Sequence, residues 1–389
     1  MIFGPTVFAQ ILAGIDHQEL ARAAAHFPMP RASRSLSAYD HFAAMLFAQL
    51  TYREGLRDIE ACLQARADQL YHIGIRGNIT RTNLAYANEH RDWRIFAEVA
   101  AVLMRRARRL YQEQPAEDGL QADLFALDTT VIELCLALCP WARWQGSIGA
   151  IKLSVLLDLQ GDIPAFASID DALDSEVVAL DRIPVTRGSY YVMDRGFLDF
   201  TRFHRLATQG AYFVSRFKRS IRFRVIQARP VDRTCGLRCD QLVYLTERRS
   251  RRHYPEPLRR IRFFDTETGL SLVFVTNQLD LPALTIALLY KRRWQIELFF
   301  RWIKQHLRLH GFFSYSPNGV RVQIWSALCA HLLIAIAKQR YHLPQNLYQI
   351  LQVVSVAPFE KVSLPELFTN YHIVETGKHI PIQLEISGF

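Results

Sequence analysis

Cysteine is scarce, with six residues in a chain of 389. Two pairs stand at C-x3-C spacing, Cys135 with Cys139 and Cys235 with Cys239. No histidine pair completes either set, so reduced, partly buried thiols are expected rather than a structural zinc. Long apolar runs are missing too. The most apolar stretch, Trp325 to Ala337, contains His331 and falls short of the ~20 residues a membrane span needs. It reads as a core helix. The N-terminus, MIFGPTVFAQILAGIDHQEL, has no basic region before its apolar stretch and no clear cleavage site, so it does not read as a signal peptide. A cytoplasmic protein without a membrane partner is the expectation. There is no internal repeat and no low-complexity segment.

Negative charge is the minority sign. Asp and Glu number 37 against 47 Lys and Arg, for a net charge of +10 and a pI near 9.4. Arginine dominates the basic residues, and its planar fork matches phosphate oxygens. A polyanion partner, most simply nucleic acid, suits such a chain. Half of the residues are apolar, enough for a sizeable core in two or three domains.

The pattern changes along the chain. Residues 1–118 read as a helical domain, with helical apolar spacing in HFAAMLFAQLTY and DWRIFAEVAAVLMRRARRLY. Between them Gly74 and Gly77 break the chain and Thr80 caps a new helix, with Arg81, Thr82, Asn83 and Asn88 near its start. A short helix, a glycine turn and a polar helix make a helix-turn-helix; a plain bundle with one exposed polar helix fits the same residues. A polar, acidic stretch, EQPAEDGLQADL, marks the boundary.

Strands follow. ADLFALDTTVIEL, AIKLSVLLDL and IPAFASID are apolar-rich runs, the last two a hairpin around Gly161 and Asp162. A short helical stretch near Ser175–Leu180 precedes a fourth strand, SYYVMDRGF. A helix, LDFTRFHRLATQG, and a fifth strand, AYFVSRFK, complete the series. Three antiparallel strands, a helix, then strand–helix–strand is the order of a ribonuclease H-like α/β core, here its first part, 119–218. Residues 219–281, rich in β-branched, aromatic and arginine residues, read as a β-rich insertion, with DTETG a hairpin turn that needs Gly269 at positive φ. A long helix from Leu281 to Leu307 and an apolar helix over Val320–Arg340 place the second part of the core at 282–345. A C-terminal tail, 346–389, remains.

Asp128 and Asp194 each stand where an apolar strand is expected to stop, a place that faces ligands more readily than core. Either alone also reads as a capping or turn aspartate. Glu297 has informative company. Tyr290, Arg293, Glu297 and Lys304 fall within an arc of about 60° on one helix, at about 100° per residue. The plainer reading of that face is a surface stripe held by an Arg293–Glu297 pair at i,i+4.

Together, ALDTT, YYVMDRGF and YKRRWQIELFFRWIKQHL resemble the three signature regions of DDE transposases of bacterial insertion sequences, closest to insertion-sequence family four with its tyrosine–arginine–glutamate–lysine helix. The resemblance spans nearly the whole chain. It implies that Asp128, Asp194 and Glu297 are catalytic and hold two Mg²⁺ ions, with Mn²⁺ able to substitute, Asp128 bridging both. It implies DNA-contacting or site-organising roles for Tyr290, Arg293 and Lys304, and an N-terminal end-binding domain in which Arg81 and Asn83 are the candidate contacts. The implied partners are double-stranded DNA, as terminal inverted repeats and as target, with a dimer in the synaptic complex. Two positions depart from the family pattern: Ser154 stands where histidine is common, and Ser175–Glu176 where a histidine–aspartate pair is common. A structure-specific nuclease on the same fold, or a silent DNA-binding regulator, remains open at this point.

Overall fold

A computed structural model describes residues 4–29, 36–112, 122–146, 148–307, 309 and 311–369. The helical region opens with α1 (Val7–Leu12) and α2 (His17–His26), where Asp16 and Glu19 form a reciprocal capping box. The third helix, α3 (Ala38–Leu50), is apolar on every side and buried along most of its length, as a helix at the centre of a bundle must be. Next come α4 (Leu56–Gln64), α5 (Ala67–Leu70), a 3-10 turn that Gly74 ends at φ +82°, and α6 (Arg81–His90). The Thr80 hydroxyl caps α6 by accepting from the Asn83 N–H at 3.2 Å, as its position in the sequence suggests. The long α7 (Arg94–Gln112) buries Ile95, Phe96, Val99, Leu103, Met104 and Ala107, one helical stripe. Most of the acidic stretch expected as a boundary, residues 113–121, lies outside the described residues.

The sheet begins with β1 (Leu124–Cys135), β2 (Arg143–Gln145), β3 (Ile148–Asp158) and β4 (Ile163–Asp171). A 3-10 turn over Glu176–Asp181 leads to β5 (Tyr190–Met193), a second 3-10 turn over Arg195–Phe197, α8 (Phe200–Thr208) and β6 (Tyr212–Arg216). Strand β3 is antiparallel to β1 and β4, whereas β5 is parallel to both β1 and β6. That order, β4-β3-β1-β5-β6, is the ribonuclease H-like arrangement. The stretch after it contributes β7 (Phe223–Arg229), β8 (Leu237–Leu245), α9 (Arg248–His253), β9 (Leu258–Asp265) and β10 (Leu270–Thr276). Strand β10 pairs antiparallel with β6, so these strands continue the core sheet. Among the described residues it becomes one ten-stranded sheet, with β7 at its far edge. Gly269, at φ +68°, turns the β9–β10 hairpin.

The long helix expected over Leu281–Leu307 is broken in two. Helix α10 (Ala283–Lys291) and α11 (Trp294–His306) meet at Arg292–Arg293. The backbone tightens there: the Arg293 N–H donates to the Tyr290 carbonyl at 3.0 Å and Gln295 N–H to Arg292 at 3.0 Å, both three residues back. Helix α12 (Pro317–Arg340) follows. It is long and apolar enough by composition to cross a membrane, yet 94% of its apolar window is buried inside the protein. It packs on α7 and α3. The Asn318 side chain joins these parts, donating to the Asn88 and Arg91 carbonyls at 2.8 Å and accepting from the Trp93 N–H at 3.1 Å. Finally α13 (Leu347–Val356) and α14 (Leu364–Thr369) return to α1, where Gln10 Nε2 donates to the Val362 carbonyl at 2.7 Å and Gln10 Oε1 accepts from the Leu364 N–H at 2.9 Å.

Side chains alternate across the sheet with the period of a strand. Leu124 and Ala126 of β1, with Tyr190 and Val192 of β5, join the core shared with α7, α11 and α12. Phe125 and Leu127, with Tyr191 and Met193, join the opposite core under α8. Each fully buried large apolar side chain contributes about 1.5–3 kcal/mol before entropy is counted.

Candidate active site

The same alternation aims the acids. Asp128 follows Leu124 and Ala126 on β1, and Asp194 follows Tyr190 and Val192 just past β5. Both therefore face the layer that holds α11. Asp128 is not at a strand end: β1 runs on to Cys135, paired with β3. What stops is the parallel pairing with β5, whose last registered pair is Leu127 with Met193. The two strands fork there, and a fork leaves a gap that side chains from both can line.

Helix α11 brings Glu297 to this fork. The Arg293 guanidinium lies between the acids, with Nη2 at 2.6 Å from Glu297 Oε1 and Nη1 at 3.4 Å from Asp128 Oδ2. The i,i+4 pair foreseen on the helix face is thus present, but it also reaches across to β1. Asp128 Oδ1 accepts from the Thr129 N–H at 2.8 Å. The Tyr290 hydroxyl donates to Asp194 Oδ1 at 3.2 Å, and its ring packs on Phe274 of β10 at 4.8 Å. The Ser215 hydroxyl on β6 donates to the Asp194 carbonyl at 3.2 Å. Lys304 Nζ donates to the Val131 carbonyl of β1 at 2.7 Å. Tyr290 and Lys304 thus spend their polar groups on Asp194 and on the backbone of β1. Arg81 and Asn83 sit elsewhere, on α6, where Arg81 is exposed and the half-buried Asn83 donates from Nδ2 to the Asn78 carbonyl.

Electrostatics marks Asp128. Burial pushes its carboxyl up to about 6, and the Thr129 N–H and Arg293 pull against that rise. The charges of Glu297 and Glu176 add to it. Glu176 had stood out in the sequence only as a departure from a family pattern; its place near Asp128 depends on how the turn before β5 folds. Burial also raises the Tyr290 phenol, keeping it a donor, and lowers Lys304. Burial works against the Arg293 charge, but Tyr290, Glu297 and Asp128 raise it overall.

The donor set is made of carboxylate oxygens, which suits hard divalent cations such as Mg²⁺, Mn²⁺ or Ca²⁺. A half-compensated buried carboxylate with a cation already drawn between it and its neighbour fits such ions in charge and in kind. Among the described residues, no three His, Cys, Asp or Glu side chains are gathered tightly enough to form a finished cage. Arg293 fills the space between Asp128 and Glu297. The six cysteines are free thiols, with Cys139 and Cys329 buried.

Comparison with known proteins gives this chain a family and relatives. A family described as the transposase DDE domain matches residues 119–333, and a domain of unknown function matches residues 3–76. A putative transposase, y4zB, of Sinorhizobium fredii is 32% identical over 72% of this chain and 77% of its own. A probable transposase for insertion sequence element IS5377 of Geobacillus stearothermophilus is 27% identical, over 54% of this chain and 55% of that one. A putative transposase for insertion sequence element IS4SA of Synechocystis is 23% identical over 68% and 74%. With more than half of its length matched by that family, the chain belongs to the DDE transposase family, enzymes that break and join DNA phosphodiesters with divalent metal.

Proposed function

We propose that the cleft of Asp128, Asp194 and Glu297 is the catalytic centre of a cut-and-paste transposase that uses two Mg²⁺ ions, with Mn²⁺ able to substitute. It cleaves DNA at the terminal inverted repeats of its own element and joins the freed ends to target DNA. The observation that carries this reading is convergence. Arg293 joins the acid of β1 to the acid of α11, and Tyr290, three residues before it, holds the acid just past β5.

The chemistry needs two displacements at phosphorus. Water attacks first, breaking a P–O3′ bond and leaving a 3′-hydroxyl and a 5′-phosphate. That hydroxyl then attacks a target phosphodiester, forming a new P–O3′ bond as the target's own O3′ departs. Bound divalent ions supply Lewis-acid polarisation and a more acidic water. The chain supplies placement. Asp128, Asp194 and Glu297 would hold the ions, with Tyr290 fixing the Asp194 rotamer. Arg293, whose charge the bound ions would make surplus to the acids, would be placed to take a phosphate oxygen through its bidentate fork. Arg81 and Asn83 on α6 are our candidates for contacts to the element ends. Two ends must be processed together, so a dimer on DNA is the assembly expected, acting at the nucleoid.

The test uses purified full chain, Mg²⁺ and duplexes carrying the element's inverted repeats. Asp128→Asn, Asp194→Asn and Glu297→Gln should each abolish cleavage, and pre-cut ends should be joined to a target plasmid by the unaltered protein. Unchanged cleavage in all three variants would falsify the assignment of the acids. Cleavage without joining of pre-cut ends would replace transposase with nuclease.

A further inference from the structure

We infer that Glu176 is a fourth carboxylate of the cation site, reaching it from the turn between β4 and β5. This rests on the reading that Asp128, Asp194 and Glu297 hold divalent cations.

The turn Glu176–Asp181 packs against the turn Arg195–Phe197, which begins one residue after Asp194. At the contact, a Cβ on Gly196 would collide with Glu176 Oε2. Gly196 does not have positive φ. The atom met is the end of a flexible, exposed side chain, so a methyl group there would turn the Glu176 carboxylate aside rather than block the fold. The side chain thus settles two residues from Asp194, and its charge reaches Asp128 as well.

Several acids around it have partners. Asp170 is paired with Arg182, and Asp181 with Arg202 and Arg205. Asp128 and Glu297 share Arg293, and Asp194 has Tyr290. Among the described residues, Glu176 makes no hydrogen bond or ion pair. An acid without a partner whose charge acts on Asp128 is unfavourable by like-charge repulsion. A dication at the fork turns that repulsion into attraction. Because Glu176 is solvent-exposed, it can complete an oxygen shell from the open side of the cleft, where hard cations otherwise keep water.

The experiment titrates Mn²⁺ into the full chain at pH 7.5 and reads free ion by electron paramagnetic resonance. Glu176→Gln keeps the shape and removes the charge; it should weaken binding roughly tenfold, within the range seen when a supporting group at a metal site is lost. Gly196→Ala should push the carboxylate away and weaken binding as well. Adding it to Glu176→Gln should cost little more, because both act through one side chain. If Glu176→Gln binds like the unaltered protein while Asp128→Asn is weakened, Glu176 is no ligand and the three-acid reading stands. If Asp128→Asn, Asp194→Asn and Glu297→Gln all bind unchanged, the three-acid reading itself fails. Should Gly196→Ala not fold, Glu176→Gln alone decides.

Discussion

Arg293 is the residue on which the candidate site turns. Its side chain is only 15% exposed and bridges an acid on β1 and an acid on its own helix. Removing one partner of such a partly buried cluster costs more than a surface pair would and less than a fully buried one. Arg293→Ala should lower stability in chelator by about 1–3 kcal/mol. Excess Mg²⁺ should then raise its melting temperature more than it raises that of the unaltered protein, since the ions would replace a lost cation. Equal shifts in both proteins would argue that Arg293 and the ions do not share a space. Tyr290 acts differently. Tyr290→Phe keeps the packing on Phe274 and deletes one hydrogen bond, a loss of about 0.5–1.5 kcal/mol. Its mark should be on turnover rather than on folding, with the cleavage rate falling while the melting temperature barely moves. A large melting shift with normal cleavage would make Tyr290 a core residue and nothing more.

At the scale of elements, α12 carries a different liability. His331 is fully buried against Phe299 and Trp302, and neither ring nitrogen has a partner among the described residues. Burial lowers its pKa to about 3. The folded protein therefore keeps it neutral, while the unfolded chain takes up a proton as pH falls below 6.5. Stability is lost progressively between about 6.5 and 3. His331→Leu should remove that slope, amounting to about 2 kcal/mol at pH 5, and should also remove two unsatisfied polar atoms. Melting curves of the two proteins that run parallel from pH 8 to pH 5 would contradict this. Elements were also where the sequence was most readable. Thr80 as a cap and Gly269 as a positive-φ turn follow from local chemistry, and both are in place. The strand series from 122 to 218 follows from periodicity. The break at Arg292–Arg293 does not, because a tightened turn uses the same residues as a continuous helix. Nor does the fork at Asp128, since β1 outruns β5 only through its longer pairing with β3. Glu297 was legible through its helix neighbours. The Tyr290–Asp194 bond spans 96 residues, and no local pattern encodes it.

The whole molecule is bound more tightly than its sequence segments suggest. Strand β10 joins the arginine-rich segment to the catalytic sheet, and Asn318 and Gln10 tie the helical region to α12 and to the segment before α14. Strand β7 ends the sheet with Val225 and Ile226 exposed between Arg222, Arg224 and Arg229, charges that discourage edge-to-edge pairing with another chain. One consequence concerns manufacture. The Asp128–Arg293 contact spans 165 residues, and the most buried helix of the core begins only at Pro317. A growing polypeptide thus has both aspartates in hand long before it has a counterion for them, a third acid, or a centre to fold around. A chain stopped at residue 281 should stay protease-sensitive and inert on DNA, whereas the 389-residue chain should resist digestion; a stable, protected 281-residue fragment would refute this. A nascent chain therefore cannot assemble the full set of acids and their arginine until the residues beyond 281 have been made.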